Sequence, residues 1–123
     1  MTTPGQRSQI ESHSTFVIIW EFLINPRKRR AFELAYGPDG EWARFFRKGS
    51  GYLRTELIRD SQKPERYITL DYWKSRKHYE TFIRQNRKMY ETIDETCEIL
   101  TTRELEIGKF SRRIVKTVSP SEG

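Results

Sequence analysis

Residues 16–24 read FVIIWEFLI and carry apolar side chains on both parities of a strand. Phe16, Ile18, Trp20, Phe22 and Ile24 alternate onto one side, and Val17, Ile19 and Leu23 fall on the other. Successive strand residues point to opposite faces, so a strand of this composition is at home only with both faces covered. One layer of helices can shield one face of a small sheet. The chain therefore has to find a second cover for the other.

The rest of the chain supplies the sheet and the helices. Asn25-Pro26 reads as a helix start, with Asn as the cap and Pro at the first position, running through Tyr36 with Phe32, Ala35 and Tyr36 on one side. YGPDGEW interrupts it; Asp39 is expected to cap a second short helix carrying Trp42, Phe45 and Phe46, closed by KGSG at 48–51. YLRTELIRD (52–60) alternates, with Leu53, Thr55 and Leu57 on one parity and Tyr52 and Ile58 on the other. After the SQKP turn, ERYITLDYW returns as its hairpin partner: Ile68, Leu70 and Tyr72 face one way, Tyr67, Thr69, Asp71 and Trp73 the other. Ser75 caps the longest expected helix, whose stripe is Tyr79, Phe82, Ile83, Asn86, Tyr90, Ile93 and Cys97. Arg76, Lys77, Arg84, Arg87 and Lys88 lie on its wet side. ILTTRELEIGKF (99–110) reads as the last strand, with Ile99, Leu105 and Ile107 on one face and a bulge at Gly108.

The order β-α-β-β-α-β predicts an α+β, ferredoxin-like fold: a four-stranded antiparallel sheet with its helices on one face. The apolar side turned away from those helices is the kind of patch that marks an interface. A second copy, packed sheet against sheet about a two-fold axis, covers it economically, so a homodimer is expected. At 123 residues one domain is expected over 16–110, with a flexible tail at 1–15 and a basic extension at 111–123. The opening residues lack the apolar stretch of a signal peptide, and no run is long enough to span a bilayer. A cytoplasmic protein with no membrane partner is the expectation. The single Cys97 agrees, and in its helical rhythm it reads as a small buried hydrophobe rather than a reactive thiol.

The net charge of +6 raises the question of nucleic acid. Much of the excess sits in RKRR (27–30) and SRRIVK (111–116), and charge runs of this kind are usually solvated faces. The same element order also serves RNA-recognition domains, which need a basic residue, glycine and aromatics in a set run on the third strand. RYITLDYW has no glycine and carries Asp71, which would oppose a phosphate. A specific nucleic-acid partner is not expected. Two His and one Cys, widely separated, make no zinc constellation, and no phosphate-cradling loop or G-x-S-x-G elbow occurs.

FVIIWEFLI, GYLRTELIRD, RYITLDYWKSRKHYETF and the closing GKF resemble the antibiotic biosynthesis monooxygenase family, over about residues 16–110. The resemblance implies the dimeric α/β barrel, with a pocket in each subunit between sheet and helices. It also implies oxygenase chemistry that uses neither metal nor flavin, or alternatively haem degradation. Polyketide-oxidising relatives place a Trp at this strand-to-helix junction and a Tyr six residues on, which Trp73 and Tyr79 match; where they carry Asn four residues before the Trp, this chain has Thr69. Haem-degrading relatives pair that Trp with an Asn on the first strand and a His deeper in the helix. Trp20 and Ile83 stand near those positions, a departure that argues against haem cleavage. The implied function is a cofactor-free monooxygenase acting on a small phenolic or quinol compound. The alternative is a non-catalytic ligand-binding or interaction protein of the same fold.

Such a pocket must move a proton, exclude water and hold an anion against O₂. The indole N–H of Trp73 or the hydroxyl of Tyr79 can stabilise a developing phenolate, and His78 has the right unperturbed pKa for a base. Trp73, Tyr79 and His78 are the catalytic candidates, with Trp20, Trp42, Thr69 and Ile83 as substrate-binding candidates. Each has a plainer reading. Trp73 and Tyr79 can close the core at the sheet–helix seam, Trp42 can pack rather than cap a pocket, and His78 can sit exposed on its helix. Arg103 shares parity with Leu105 and reads as an anion clamp or as a surface Arg covering apolar area with its stem.

Overall fold

In the structure, a computed structural model describing residues 15–113 and 115, four strands form one antiparallel sheet. The elements in chain order are β1 (Phe16–Ile24), α1 (Arg29–Tyr36), α2 (Glu41–Phe46), β2 (Tyr52–Arg59), β3 (Arg66–Trp73), α3 (Arg76–Gln85), α4 (Arg87–Cys97) and β4 (Thr101–Ser111). The strand order β2-β3-β1-β4 is the ferredoxin-like arrangement expected from the sequence. The doubly apolar β1 lies at the centre, paired with β3 on one side and β4 on the other. Most of the expected tail and part of the basic extension lie outside the described residues. β4 runs one residue past the anticipated boundary, and the Arg112 N–H donates to the Thr15 carbonyl at 2.7 Å.

The two faces of the sheet differ as the alternation demands. Phe16, Ile18, Phe22 and Ile24 of β1, with Tyr67, Thr69, Asp71 and Trp73 of β3, are buried beneath the helices. Phe32, Tyr36, Trp42, Phe45, Phe46, Phe82, Ile93 and Cys97 complete the core from the helical side. On the opposite face Val17, Ile19, Leu23, Ile68, Leu70 and Tyr72 are only half-buried, and Ile58, Leu105 and Phe110 toward the edges are exposed. Among the described residues nothing covers that face.

Several local expectations need correction. Leu53 does not join Thr55 and Leu57: a register shift between Tyr52 and Arg54 places Tyr52 opposite Trp73 and leaves Leu53 42% exposed. Asp39 does not cap α2; Gly40 stands at the cap, and the Asp39 carboxylate pairs with Arg47 at 2.7 Å. Gly40 is required there because a Cβ would lie 2.3 Å from the Leu34 carbonyl oxygen. The long helix is two helices, broken at Asn86, whose side chain donates to the Phe82 carbonyl at 2.9 Å. Ile99 lies outside β4 in a 3₁₀ turn and is 65% exposed, while the anticipated bulge occurs with Ile107 as the extra residue between Glu106 and Gly108. Other signals hold. Asn25 accepts the Arg27 N–H and Pro26 opens a 3₁₀ turn ahead of α1, and Ser75 caps α3. Arg76, Lys77, Arg84, Arg87 and Lys88 are all exposed, and Cys97 is buried.

Candidate functional site

The inward row of β3 is Tyr67, Thr69, Asp71 and Trp73, and an aspartate in such a row is its one costly member. Asp71 is 9% exposed. The Thr55 hydroxyl, on the neighbouring strand directly opposite, donates to its Oδ1 at 2.6 Å. Having one proton to give, Thr55 then accepts from the Tyr52 hydroxyl, also at 2.6 Å. The bulge in β2 is what turns Tyr52 inward to close this relay. Burial pushes the Asp71 carboxyl up to about 6, against the lowering effect of the Thr55 hydrogen bond. The relay is Asp71's only hydrogen bond among the described residues, so its second oxygen remains free to take a proton or a donor.

Asp71 opens onto a cavity of about 50 Å³ between the sheet and the helices. Thr55, Thr69 and Asp71 form its floor, Trp20 and Phe22 of β1 one wall, and Tyr36, Trp42, Phe46 and Tyr90 the helical side. Asp94 of α4 and Glu104 of β4 stand at its margin. Burial raises the Tyr90 phenol to about 12 and drives Tyr36 higher still, so both hydroxyls stay protonated and available as donors. The Trp42 indole N–H is buried beside the Tyr36 hydroxyl and the Cys97 thiol without a hydrogen bond to either. Burial raises the Cys97 thiol, which is not a thiolate at neutral pH.

Three of the residues expected from the sequence come together here: Trp20, Trp42 and Thr69 line the cavity. The other four do not reach it. Trp73 is fully buried behind it, packed edge-on against Phe46, Tyr52 and Tyr79, with its indole N–H unpartnered among the described residues. Tyr79 is half-buried against Trp73 and Phe16, and burial pushes its phenol well above the usual range. Ile83 packs on the core from α3. His78 lies outside the cavity, with Nδ1 2.7 Å from the Ser75 hydroxyl and its ring against Gly51, lining a separate surface depression with Lys48 and Asn86. Arg103 opposes Leu23 on the outer face, so it cannot clamp a ligand in this cavity.

Sequence reading passed over Asp71, although a signal was present: an acid flanked at i−2 and i+2 by Thr69 and Trp73 sits on a buried face and must be paired or functional. Asp94 and Glu104 gave no such signal, because charged residues on a helix and an edge strand are ordinary. Among the described residues no group of His, Cys, Asp or Glu side chains is arranged to hold a metal ion.

No protein-family model matches the chain, and no curated protein matches it in sequence. Its fold does match solved structures. SnoaB, a cofactor-independent oxygenase from Streptomyces nogalater, is 17% identical, with 83% of this chain and 96% of that one aligned at a TM-score of 0.60. A candidate antibiotic biosynthesis monooxygenase from Bordetella bronchiseptica is 16% identical over 84% of this chain and 99% of its own, at 0.60. A protein of unknown function from Bacteroides thetaiotaomicron, a candidate oxidoreductase, is 13% identical over 81% and 99%, also at 0.60. At such identities the likeness establishes the fold: an α+β, ferredoxin-like domain of the kind these monooxygenases use.

Proposed function

We propose that the chain is a cofactor-free monooxygenase of the antibiotic biosynthesis type, acting on a small phenolic or quinol compound with Asp71 as the proton acceptor. The observation that carries this reading is a buried carboxylate, raised to about 6, facing an aromatic-lined cavity. A base poised near the working pH is best placed to take a proton in the transition state. Removing the phenol proton leaves an anion that passes one electron to O₂. Recombination gives a ring peroxide, which takes back the proton held by Asp71, and loss of water with the hydrogen on the same carbon leaves a second carbonyl. One oxygen atom enters the quinone and the other leaves as water. Trp20, Trp42 and Phe46 would exclude solvent, and the protonated Tyr36 and Tyr90 hydroxyls can steady the developing anion.

The active unit in this proposal is a homodimer through the open sheet face. That face has an apolar centre of Val17, Ile19, Ile68 and Leu70. It has a polar border: Arg66 bridges Glu21 and Asp60, and Arg54 lies 3.9 Å over the Tyr72 ring. An apolar centre with a charged rim is the usual anatomy of a protein interface. No helix among the described residues is long and apolar enough to cross a membrane, and a buried, unpaired Cys97 suits the reducing cytoplasm.

A second reading, a non-catalytic ligand-binding protein, is favoured by the cavity's size. Pockets that enclose a whole drug-sized molecule run to roughly 300 Å³ or more, so the space here admits part of a ligand unless its margin opens. Oxygen uptake measured across phenols, hydroquinones and anthrones separates the two. The oxygenase reading expects uptake matched by quinone formation and lowered about 100-fold or more in Asp71→Asn. Binding of the same compounds with no uptake by any of them would leave only the second reading.

A further inference from the structure

The chain carries a net charge of +6, yet among the described residues no Lys, Arg or His lines the cavity. Its charged members are Asp71, Asp94 and Glu104, and none of these forms a salt bridge among the described residues. Burial raises the Tyr90 phenol and the Glu104 carboxyl, and the Asp94 charge adds to both shifts. Beside the carboxylates stand Trp20, Tyr36, Trp42 and Tyr90, with the Trp42 and Tyr90 rings edge to face at 5.0 Å. Asp71, 9% exposed and with its second oxygen unpartnered among the described residues, opens onto the same space from the floor.

Resting on the reading of this cavity as a ligand site, we infer that it takes a cationic amine: the ligand presents an ammonium or methylated ammonium group to the carboxylates and the ring faces. Aromatic faces attract such cations through their quadrupoles, more strongly where the contact is desolvated. The carboxylates add charge-assisted hydrogen bonds to any N–H the group carries. These acids are not grouped, among the described residues, to chelate a metal ion. A ligand of the same shape with a carboxylate in place of the amine meets the uncompensated charges of Asp94 and Glu104 and is rejected. The compound class is therefore a phenol bearing a basic amine, its ammonium held at the Asp94–Glu104 margin beside the rings and its hydroxyl toward Asp71.

A charge series on one ring tests this: tyramine (cation), para-ethylphenol (neutral) and para-hydroxyphenylacetate (anion), titrated by calorimetry without oxygen. Tyramine is expected to bind about tenfold more tightly than para-ethylphenol, with the anion weakest of the three. In the Asp94→Asn/Glu104→Gln variant, checked for native melting, that preference should shrink to about threefold or less while para-ethylphenol is unaffected. If the double variant does not fold, Glu104→Gln alone is used, since Glu104 is exposed. Equal binding of cation and anion, an undiminished preference in the folded variant, or no tyramine binding at about 10 mM overturns the inference. Tyramine binding without any oxygen uptake in air would count only against the oxygenase reading. Oxygen uptake confined to neutral phenols, with no preference for the amine, would count only against this one.

Discussion

Asp71 shows how one side chain can couple stability to chemistry. Its folded pKa, about 6, lies above the ordinary carboxylate value of 3.8, so the folded state holds the proton more tightly than the unfolded chain. The stability this confers is fully present below about pH 4 and is lost as pH rises through about 6, then stays level. A shift of about two units corresponds to about 3 kcal/mol. Asp71→Asn keeps an acceptor for Thr55 and removes the ionisation, so relative to the natural protein it should gain about 3 kcal/mol between pH 4 and 8. Urea unfolding of both proteins across that range checks the sign. A difference that does not change with pH would mean Asp71 is not the buried acid described. The trade is a familiar one, because the substitution that steadies the fold is the one expected to abolish turnover. Thr69 and Trp42, named from the sequence as binding candidates, line the same cavity. Asp71 was visible there as an acid on a buried parity, but its pairing with Thr55 depends on a neighbouring strand.

At the scale of elements, small departures from regularity decide which side chains meet. The shift in β2 brings Tyr52 inward and completes the donor chain to Asp71; strict alternation would have sent it to the open face. The break at Asn86 lets the helical layer bend, so that Phe82 from α3 and Ile93 and Cys97 from α4 all reach the core. Ser75 holds the start of α3 twice, accepting the His78 N–H at 3.2 Å and contacting its ring nitrogen at 2.7 Å. Ser75→Ala should cost about 1 kcal/mol, read from denaturant midpoints at unchanged slope. A cost near zero would show that His78 and Gly51 hold the junction without the cap. Element order and most caps could be read from the chain because they are local signals. The bulge and the break could not, because each depends on a partner strand or on the core beneath.

For the whole molecule, the unshielded sheet face is the dominant feature. Ile19 and Leu70 lie opposite each other at its middle, with Leu105 and Phe110 exposed toward the β4 edge. The proposed dimer should scatter light as twice the 14.8 kDa chain mass, and Leu70→Asp should reduce it to a single chain with circular dichroism unchanged. A natural protein that stays at the single-chain mass at micromolar concentration would remove the dimer from the proposal.

Periodicity and turn chemistry alone determined the strand and helix order, the two-sided first strand and the apolar face left over, since these follow from backbone geometry and neighbouring residues. Tertiary structure alone decided that Trp73, Tyr79, Ile83 and His78 stand away from the cavity while Asp71, Asp94 and Glu104 gather at it. Residues far apart in the chain share a dielectric and a field only after the sheet has paired and the helices have packed. Parity assigns a side chain to a face, but only packing settles what it meets there.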